Sequence, residues 1–152
     1  MTQRFDFMRA APDAFKAMVA LSAYVNDCGL EASLLHLVKL RASQINGCAN
    51  CINMHFHEAL ADGDAAERLV LLDAWRETDA YSPREQAALA WTETLTLVAA
   101  ARAPDAVYDE VRAQFSEAEI MRLTVAITTI NAWNRIAIGA GVRPSVARKA
   151  AA

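Results

Sequence analysis

The sequence contains no apolar run long enough to cross a membrane. Its longest charge-free stretch towards the C-terminus, Leu123 to Asn134, lies between Arg122 and Arg135, whereas a spanning helix needs about 20 apolar residues. The N-terminal segment from Met1 to Phe7 also lacks the basic and then apolar pattern of a secretion signal. We therefore expect a soluble, cytoplasmic protein that does not act at a membrane.

The chain is equally poor in cysteine and in clustered positive charge. Three cysteines among 152 residues are too few for a disulfide-stabilised scaffold. A formal net charge of -3, without a block of Lys and Arg, argues against nucleic acid as a partner. The hydrophobic content of 55% is high for a soluble domain. Since a small chain with this much apolar surface commonly buries the excess against copies of itself, we expect a homo-oligomer.

Strand patterns are missing as well, because no segment alternates apolar and polar residues between turn residues. Instead, apolar residues recur at steps of three and four, and helix start and stop signals separate the periodic segments. Ser82-Pro83-Arg84-Glu85 and Ser116-Glu117-Ala118-Glu119 each carry the residues of a capping box. The sequence predicts an all-α protein of about six to seven helices, which form a single domain over residues 1–152.

The turn signals set the expected helix boundaries. Asn46-Gly47 separates the second helix from the third, and we expect Asn46 to cap the third helix. Asp64 is expected to cap the fourth helix in the same way. The predicted segments run approximately from Pro12 to Cys28, Glu31 to Ile45, Cys48 to Asp62, Asp64 to Trp75, Pro83 to Ala101, Asp105 to Gln114 and Glu117 to Gly139.

One short stretch, Asn46 to His55, combines residue types that are typical of redox chemistry. Cys48 and Cys51 are three apart and His55 follows at a spacing of four, so all three share one face of a helix. Two thiols this close can form a disulfide, and a ring nitrogen one turn below Cys51 can accept its proton. At a helix start, unpaired backbone amides and the helix dipole also favour anionic sulfur. The pattern makes Cys48, Cys51 and His55 candidate catalytic residues.

A Cys-x-x-Cys pair can also be half of a zinc site, which normally has four protein ligands. His57 is two residues from His55 and about 200° around the helix, so the two cannot face one metal. His36 is then the remaining candidate for a fourth ligand, and the sequence has no second cysteine pair. We favour a redox dithiol over zinc and over chance burial, and therefore expect neither a metal nor another cofactor.

Other polar residues have simpler interpretations. Glu58 lies seven residues after Cys51 and can face the same side, but a solvated charge is the commoner role, so we leave it outside the site. His57 is interpreted as a surface residue. Asn131 and Asn134 interrupt a strongly apolar helix, and we favour a role at helix crossings or an oligomer interface over a place in the thiol pocket.

The stretch Leu37 to Cys51, followed by Met54 and His55, resembles the carboxymuconolactone decarboxylase superfamily, and above all its alkyl hydroperoxidase D branch. The likeness extends over residues 5–145 and implies an all-helical fold assembled as trimers or hexamers. Three later stretches also resemble that branch: Ala74 to Thr78, Ala90 to Glu93 and Ile130 to Arg135.

The resemblance implies an antioxidant enzyme, a thiol peroxidase that reduces organic hydroperoxides or hydrogen peroxide. The family's second cysteine, here Cys51, attacks the peroxide and becomes a sulfenic acid, and the first, here Cys48, resolves it to a disulfide. A dithiol donor then reduces the disulfide, and in the characterised branch a lipoyl-bearing partner supplies the electrons. The histidine matching His55 belongs to a proton relay. The helix start alone would favour Cys48 as the activated thiol, but the adjacent base favours Cys51.

The sequence departs from the family at one position of the relay. Twelve residues before the first cysteine the family has a glutamate, and this chain has His36. A histidine can pass protons near neutral pH but supplies no fixed negative charge, so we expect His36 and His55 to form a relay with another pH dependence. The alternative to a peroxidase is a dithiol redox sensor or interaction module without turnover. Lactone decarboxylation is less favoured, because that branch lacks the cysteine pair.

Overall fold

The computed structural model of the protein describes residues 2–146, which form helices and connecting loops without a β-strand. The predicted all-α class is therefore confirmed. None of the helices in this range has the length and apolar character required to cross a membrane. The elements are α1 Phe7–Ala10, α2 Pro12–Asn26, α3 Ala32–Asn46, α4 Ala49–Ala61, α5 Ala66–Val70, a 3₁₀ helix Leu71–Glu77, α6 Pro83–Thr96, α7 Val98–Ala101, α8 Asp105–Arg112 and α9 Glu117–Ala140.

The structure divides the chain more finely than the periodicity predicts. The four-residue helix α1 has too few residues to show a period. The segment expected to run as one helix to Trp75 is α5 followed by the 3₁₀ helix, in which Ala74 leaves helical geometry at φ -114° and ψ 31°. The segment expected to end at Ala101 breaks at Leu97 into α6 and α7. The apolar spacing continues through both breaks, so it gives no sign of them.

Both predicted capping boxes are present. The hydroxyl of Ser82 accepts the backbone N–H of Glu85, whose carboxylate accepts the N–H of Ser82 in return. Ser116 and Glu119 repeat the arrangement at the start of α9. Each pair satisfies two backbone donors that a helix start leaves without partners.

The other two cap predictions are wrong. Asn46 is the last residue of α3, Gly47 makes the turn at φ +67°, and Cys48 is the N-cap of α4. The amide of Asn46 is used instead in a side-chain network with α9. The N-cap of α5 is Ala65, which forms no side-chain cap, whereas Asp64 accepts hydrogen bonds from the Ala65 N–H and from Arg68.

Helix α3 is the centre of the fold, because α4, α6 and α9 all pack against it. One apolar cluster lies between α3, α6 and α9 and includes Leu34, Ala88 and Leu123. A second lies between α3, the 3₁₀ helix and α6 and includes Leu37, Leu72 and Leu89. Leu37, Leu89 and Leu123 have no exposed surface. This packing fixes the end of α3, and with it the position from which α4 begins.

The N-terminal segment is anchored to the far end of α9. The backbone N–H of Arg4 donates to the Ala140 carbonyl at 2.8 Å. Its guanidinium donates to the carbonyls of Ile138 and Gly139 at 3.2 and 2.9 Å. The anchor places α1 beside α9, where the ring of Phe7 meets the ring of Trp133.

Candidate active site

Cys48 and Cys51 lie at the start of α4 and are joined by a disulfide, with their Cα atoms 5.3 Å apart. Both side chains are buried, at 2% exposure each. They pack against Ala137 near the end of α9 and against Val142 beyond it. The spacing of three thus brings the two sulfur atoms together as the sequence predicts.

The helix start acts on the first of the two sulfur atoms. Cys48 is the N-cap of α4, and its Sγ accepts the backbone N–H of Cys51 at an N···S distance of 3.4 Å. Backbone amides at a helix N-terminus favour a negative charge on the atom they face. A thiolate on Cys48 would therefore be stabilised by the backbone of α4.

A cavity of about 620 Å³ runs along α4 between α2, α3 and α9. Cys51 lines this cavity, and within residues 2–146 Cys48 is not part of its wall. The rings of Phe7, Phe15 and Trp133 form an aromatic wall, with centroids 6.0 to 6.3 Å apart. The two sulfur atoms therefore differ in access, and Cys51 is the one that a molecule in the cavity meets.

His55 lies one turn after Cys51, lines the same cavity and is 6% exposed. Its Nδ1 is 2.7 Å from Oε2 of Glu58, which follows three residues later on α4. A carboxylate can only accept, so Nδ1 donates, and Nε2 is the nitrogen that can accept a proton when the ring is neutral. The hydrogen bond from His55 holds the pKa of the Glu58 carboxyl below its ordinary value, against the opposing effect of burial.

His36 also lines the cavity, from α3, but it pairs with a different carboxylate. Its Nε2 is 2.6 Å from Oδ2 of Asp62, the residue that follows α4. Among the described residues no hydrogen bond joins the rings of His36 and His55. The four predicted site residues are thus brought to one region, with the two histidines in separate histidine–carboxylate pairs.

Sequence reasoning missed the contact between Glu58 and His55. The signal was present, since residues three apart on a helix are neighbours, but a charge on a half-exposed helix face is commonly only solvated. Lys39 is a second cavity residue that the sequence did not single out. Its Nζ donates to Oδ1 of Asn26 at 2.9 Å, and burial lowers the pKa of its ammonium group.

The simpler interpretations of the remaining polar residues are confirmed. His57 is exposed and does not line the cavity. Asn131 and Asn134 are buried at the crossing of α9 with α3 and accept hydrogen bonds from Asn46.

Over residues 2–146 no three His, Cys, Asp or Glu side chains are grouped so that they could hold a metal ion.

Known proteins share both the sequence and the fold of this chain. The family model of the carboxymuconolactone decarboxylase family matches residues 12–94. The uncharacterised protein YdfG of Bacillus subtilis is 40% identical over 143 residues, which are 94% of this chain and 97% of that protein.

Two crystal structures extend the comparison. A protein of unknown function from Agrobacterium tumefaciens, described as a candidate antioxidant defence protein AhpD, matches with a TM-score of 0.94 and 44% identity over 96% of this chain and 100% of its own. An uncharacterised peroxidase-related protein from Ralstonia eutropha JMP134, described as an alkylhydroperoxidase AhpD core, has a TM-score of 0.79. Its identity is 20% over 91% of this chain and 74% of its own, so this likeness concerns the fold alone.

The fold and site define a helical protein with a Cys-x-x-Cys pair at a helix start beside a cavity. The chain belongs to the carboxymuconolactone decarboxylase family, in the branch that resembles alkyl hydroperoxidase D. The family membership expected from the sequence is confirmed.

Proposed function

We propose that the protein is a thiol-dependent peroxidase that reduces organic hydroperoxides, with Cys51 as the attacking thiol. One observation carries the proposal: Cys51 lines the cavity together with His55, whereas its disulfide partner Cys48 does not. The thiol that can meet a substrate is therefore also the thiol with a base one helical turn away. The family membership supports the same activity.

The first step oxidises Cys51. His55 takes the thiol proton through Nε2, and the thiolate attacks the outer oxygen of the hydroperoxide. The O–O bond breaks, the sulfur keeps the outer oxygen as a sulfenic acid, and the remaining alkoxide leaves as an alcohol after His55 returns the proton. The proton thus goes from sulfur to the leaving oxygen through the ring of His55.

The second step uses the disulfide geometry of the site. The Cys48 thiol loses its proton, and the thiolate, stabilised at the start of α4, attacks the Cys51 sulfur. The S–S bond forms, the S–O bond breaks, and the leaving hydroxide takes up that proton to become water. An external dithiol then reduces the disulfide and is itself oxidised to a disulfide. Each cycle converts one hydroperoxide and one dithiol into an alcohol, water and a disulfide.

The proposal includes the features that the family resemblance implies. His36 acts as an outer proton carrier beside His55, the donor is a dithiol of the lipoyl type, and the enzyme works in the cytoplasm as a trimer or hexamer. The exposed apolar side chains of Leu21 on α2 and of Met121 and Ile138 on α9 support an assembly of several copies.

The cavity also supports a preference for large substrates. Its volume of about 620 Å³ is that of a site for a drug-sized molecule, and much of its wall is aromatic or aliphatic. Hydrogen peroxide can use little of this surface. We therefore expect cumene hydroperoxide to be reduced more efficiently than hydrogen peroxide.

The test compares two cysteine-to-alanine variants. With dithiothreitol as the donor, the wild type and Cys28→Ala should consume cumene hydroperoxide, and Cys51→Ala should not exceed the uncatalysed rate. Cys28 is a matched control because it is buried in the apolar cluster of α3, α6 and α9. Equal rates for wild type and Cys51→Ala would refute the proposal.

A mass measurement separates an enzyme from a sensor. One equivalent of hydroperoxide should remove two hydrogens from the reduced protein and link Cys48 to Cys51. Rapid oxidation of this kind without steady-state consumption of hydroperoxide would point to a redox sensor in place of a peroxidase.

A further inference from the structure

We propose that Glu58 is the positioning residue of the proton relay: its carboxylate fixes the tautomer of His55 and is the counter-charge for the imidazolium formed during the reaction. The inference rests on the proposed function of Cys51 as the attacking thiol. Glu58 Oε2 is 2.7 Å from His55 Nδ1. The acidic group that the family places on the preceding helix, at position 36 of this sequence, is thus replaced by one on α4 itself.

The contact has two consequences for His55. Because Nδ1 donates to the carboxylate, the neutral ring keeps Nε2 free to accept the proton of Cys51. Once the ring is protonated, it is a cation in direct contact with an anion, in a site where His55 is only 6% exposed. Glu58 therefore stabilises the imidazolium–thiolate pair that the first step of the reaction requires.

Within residues 2–146 no other carboxylate forms a hydrogen bond with His55. The cavity's ionisable side chains come from two neighbouring helices, and among the described residues α2 and α9 contribute none. His36 and Asp62 are bonded to each other, and Lys39 is bonded to Asn26. The ionisable groups facing the cavity are His36 and Lys39 from α3 and Cys51, His55, Glu58 and Asp62 from α4 and its end.

Glu58 has little other structural role. Its side chain is 46% exposed, and within residues 2–146 the bond to His55 is its only side-chain hydrogen bond. The same bond lowers the pKa of Glu58, so the carboxylate stays charged at a more acidic pH than an ordinary glutamate. Because the pair is partly exposed to solvent, replacing Glu58 should lower the thermal stability only slightly.

The test measures the alkylation of Cys51 by iodoacetamide as a function of pH. In a Cys48→Ser background, Cys51 is the only thiol of the tryptic peptide from Ala42 to Arg68. Glu58→Gln keeps the shape of the side chain and removes its charge. We expect the midpoint of the alkylation profile to rise by about one pH unit, which is about a tenfold slower reaction below the midpoint.

Three further variants make the test specific. Glu110→Gln, an identical change at an exposed residue of α8, should leave the midpoint where it was. Glu58→Asp keeps the charge and should give a midpoint below that of Glu58→Gln. In a His55→Gln background, Glu58→Gln should produce no further shift, because Glu58 acts through His55.

The inference is overturned if Glu58→Gln leaves the profile unchanged, or if its shift is the same with and without His55. These readouts need no hydroperoxide, so they are separate from the test of the peroxidase activity. If Cys51 fails to consume hydroperoxide while the alkylation midpoint still depends on Glu58, the proposed function is wrong and the role of Glu58 towards His55 stands.

Discussion

Asn46 donates hydrogen bonds from its side-chain amide to Oδ1 of both Asn131 and Asn134, at 3.0 and 2.9 Å. The amide of Asn134 in turn donates to the hydroxyl of Ser43 at 3.0 Å. These bonds join the last turn of α3 to α9 immediately before Gly47 and Cys48 in the sequence. The polar network therefore holds the helix end from which the cysteine pair starts.

The network predicts a large cost for replacing Asn134, which has no exposed surface. Asn134→Leu removes two hydrogen bonds, one from Asn46 and one to Ser43. At about 1 kcal/mol for each bond, we expect a loss of about 2 kcal/mol in the free energy of unfolding. That corresponds to a fall of about 4 to 8 °C in Tm for a chain of this size. Differential scanning calorimetry of the oxidised protein measures the change.

Asn53→Leu is the matched control for this prediction. Asn53 lies on α4, is partly exposed, and its side chain forms no hydrogen bond in the described part of the chain. Its replacement should change Tm little. Equal Tm values for the two variants would contradict a stabilising role of the network.

The different access of the two sulfur atoms predicts where peroxide leaves its oxygen. In Cys48→Ser, Cys51 is oxidised but no thiol remains nearby to resolve it, so a sulfenic acid should accumulate. Dimedone should label Cys51 in this variant, and mass spectrometry of the peptide locates the label. Cys51→Ser should give no label at Cys48, and a label there would reverse the assignment of the two roles.

The aromatic wall predicts selectivity for large substrates. Phe15→Ala removes one of the three rings, and losing about 1.4 kcal/mol of apolar contact raises KM about tenfold. We expect this increase for cumene hydroperoxide and little change for hydrogen peroxide, since hydrogen peroxide has no apolar group that gains from contact with the ring. Steady-state kinetics with both substrates measures the ratio.

Tyr24→Ala serves as the control, because Tyr24 is a half-exposed aromatic residue of the same helix that does not line the cavity. It should keep the ratio of the two KM values. If Phe15→Ala raised both KM values equally, the ring would affect the site without selecting substrates.

The capping box of α9 predicts a pH-dependent contribution to stability. The backbone hydrogen bond from Ser116, together with Arg84, lowers the pKa of Glu119 from 4.5 to about 2. A carboxyl with a lowered pKa stabilises the fold above its unfolded value of 4.5 and loses this effect as the pH falls towards 2. Glu119→Gln should therefore cost about 1 kcal/mol at pH 7, and the difference from wild type should shrink below pH 4.5.

Urea unfolding at a series of pH values measures this difference. Glu117→Gln is the control, because Glu117 is also in the first turn of α9 but its side chain takes no part in the capping box. The Glu117→Gln variant therefore measures the effect of the helix dipole alone. A difference between wild type and Glu119→Gln that stayed constant down to pH 2 would contradict the assignment.

Much of the fold could be predicted because the signals that set it are local. The capping boxes at Ser82 and Ser116 depend on residues three apart, and the structure has both. The cap at Asp64 failed because Asp64 lies one residue before the N-cap Ala65, with its carboxylate bonded to Arg68 four residues on. The cap at Asn46 failed because tertiary partners in α9 took its side chain. A sequence does not show such distant competition for a side chain.

In the site, too, contacts within one helix could be predicted from the sequence and contacts between distant residues could not. The stripe of Cys48, Cys51 and His55 was visible because all three lie on one helix. The pairing of His36 with Asp62 joins residues 26 apart, and spacing along a single helix does not reveal it. Glu58 was within reach of sequence reasoning, but only the buried position of His55 distinguishes its carboxylate from an ordinary surface charge.

The anchor of Arg4 on the end of α9 has a consequence for synthesis at the ribosome. Arg4 is synthesised before its carbonyl partners at Ile138 and Gly139, which lie 134 and 135 residues later in the chain. Ala137 and Val142, which cover the cysteine pair, also arrive late. While the residues between Cys51 and Ala137 are being made, a nascent chain therefore carries its two thiols without the side chains that cover them in the folded protein.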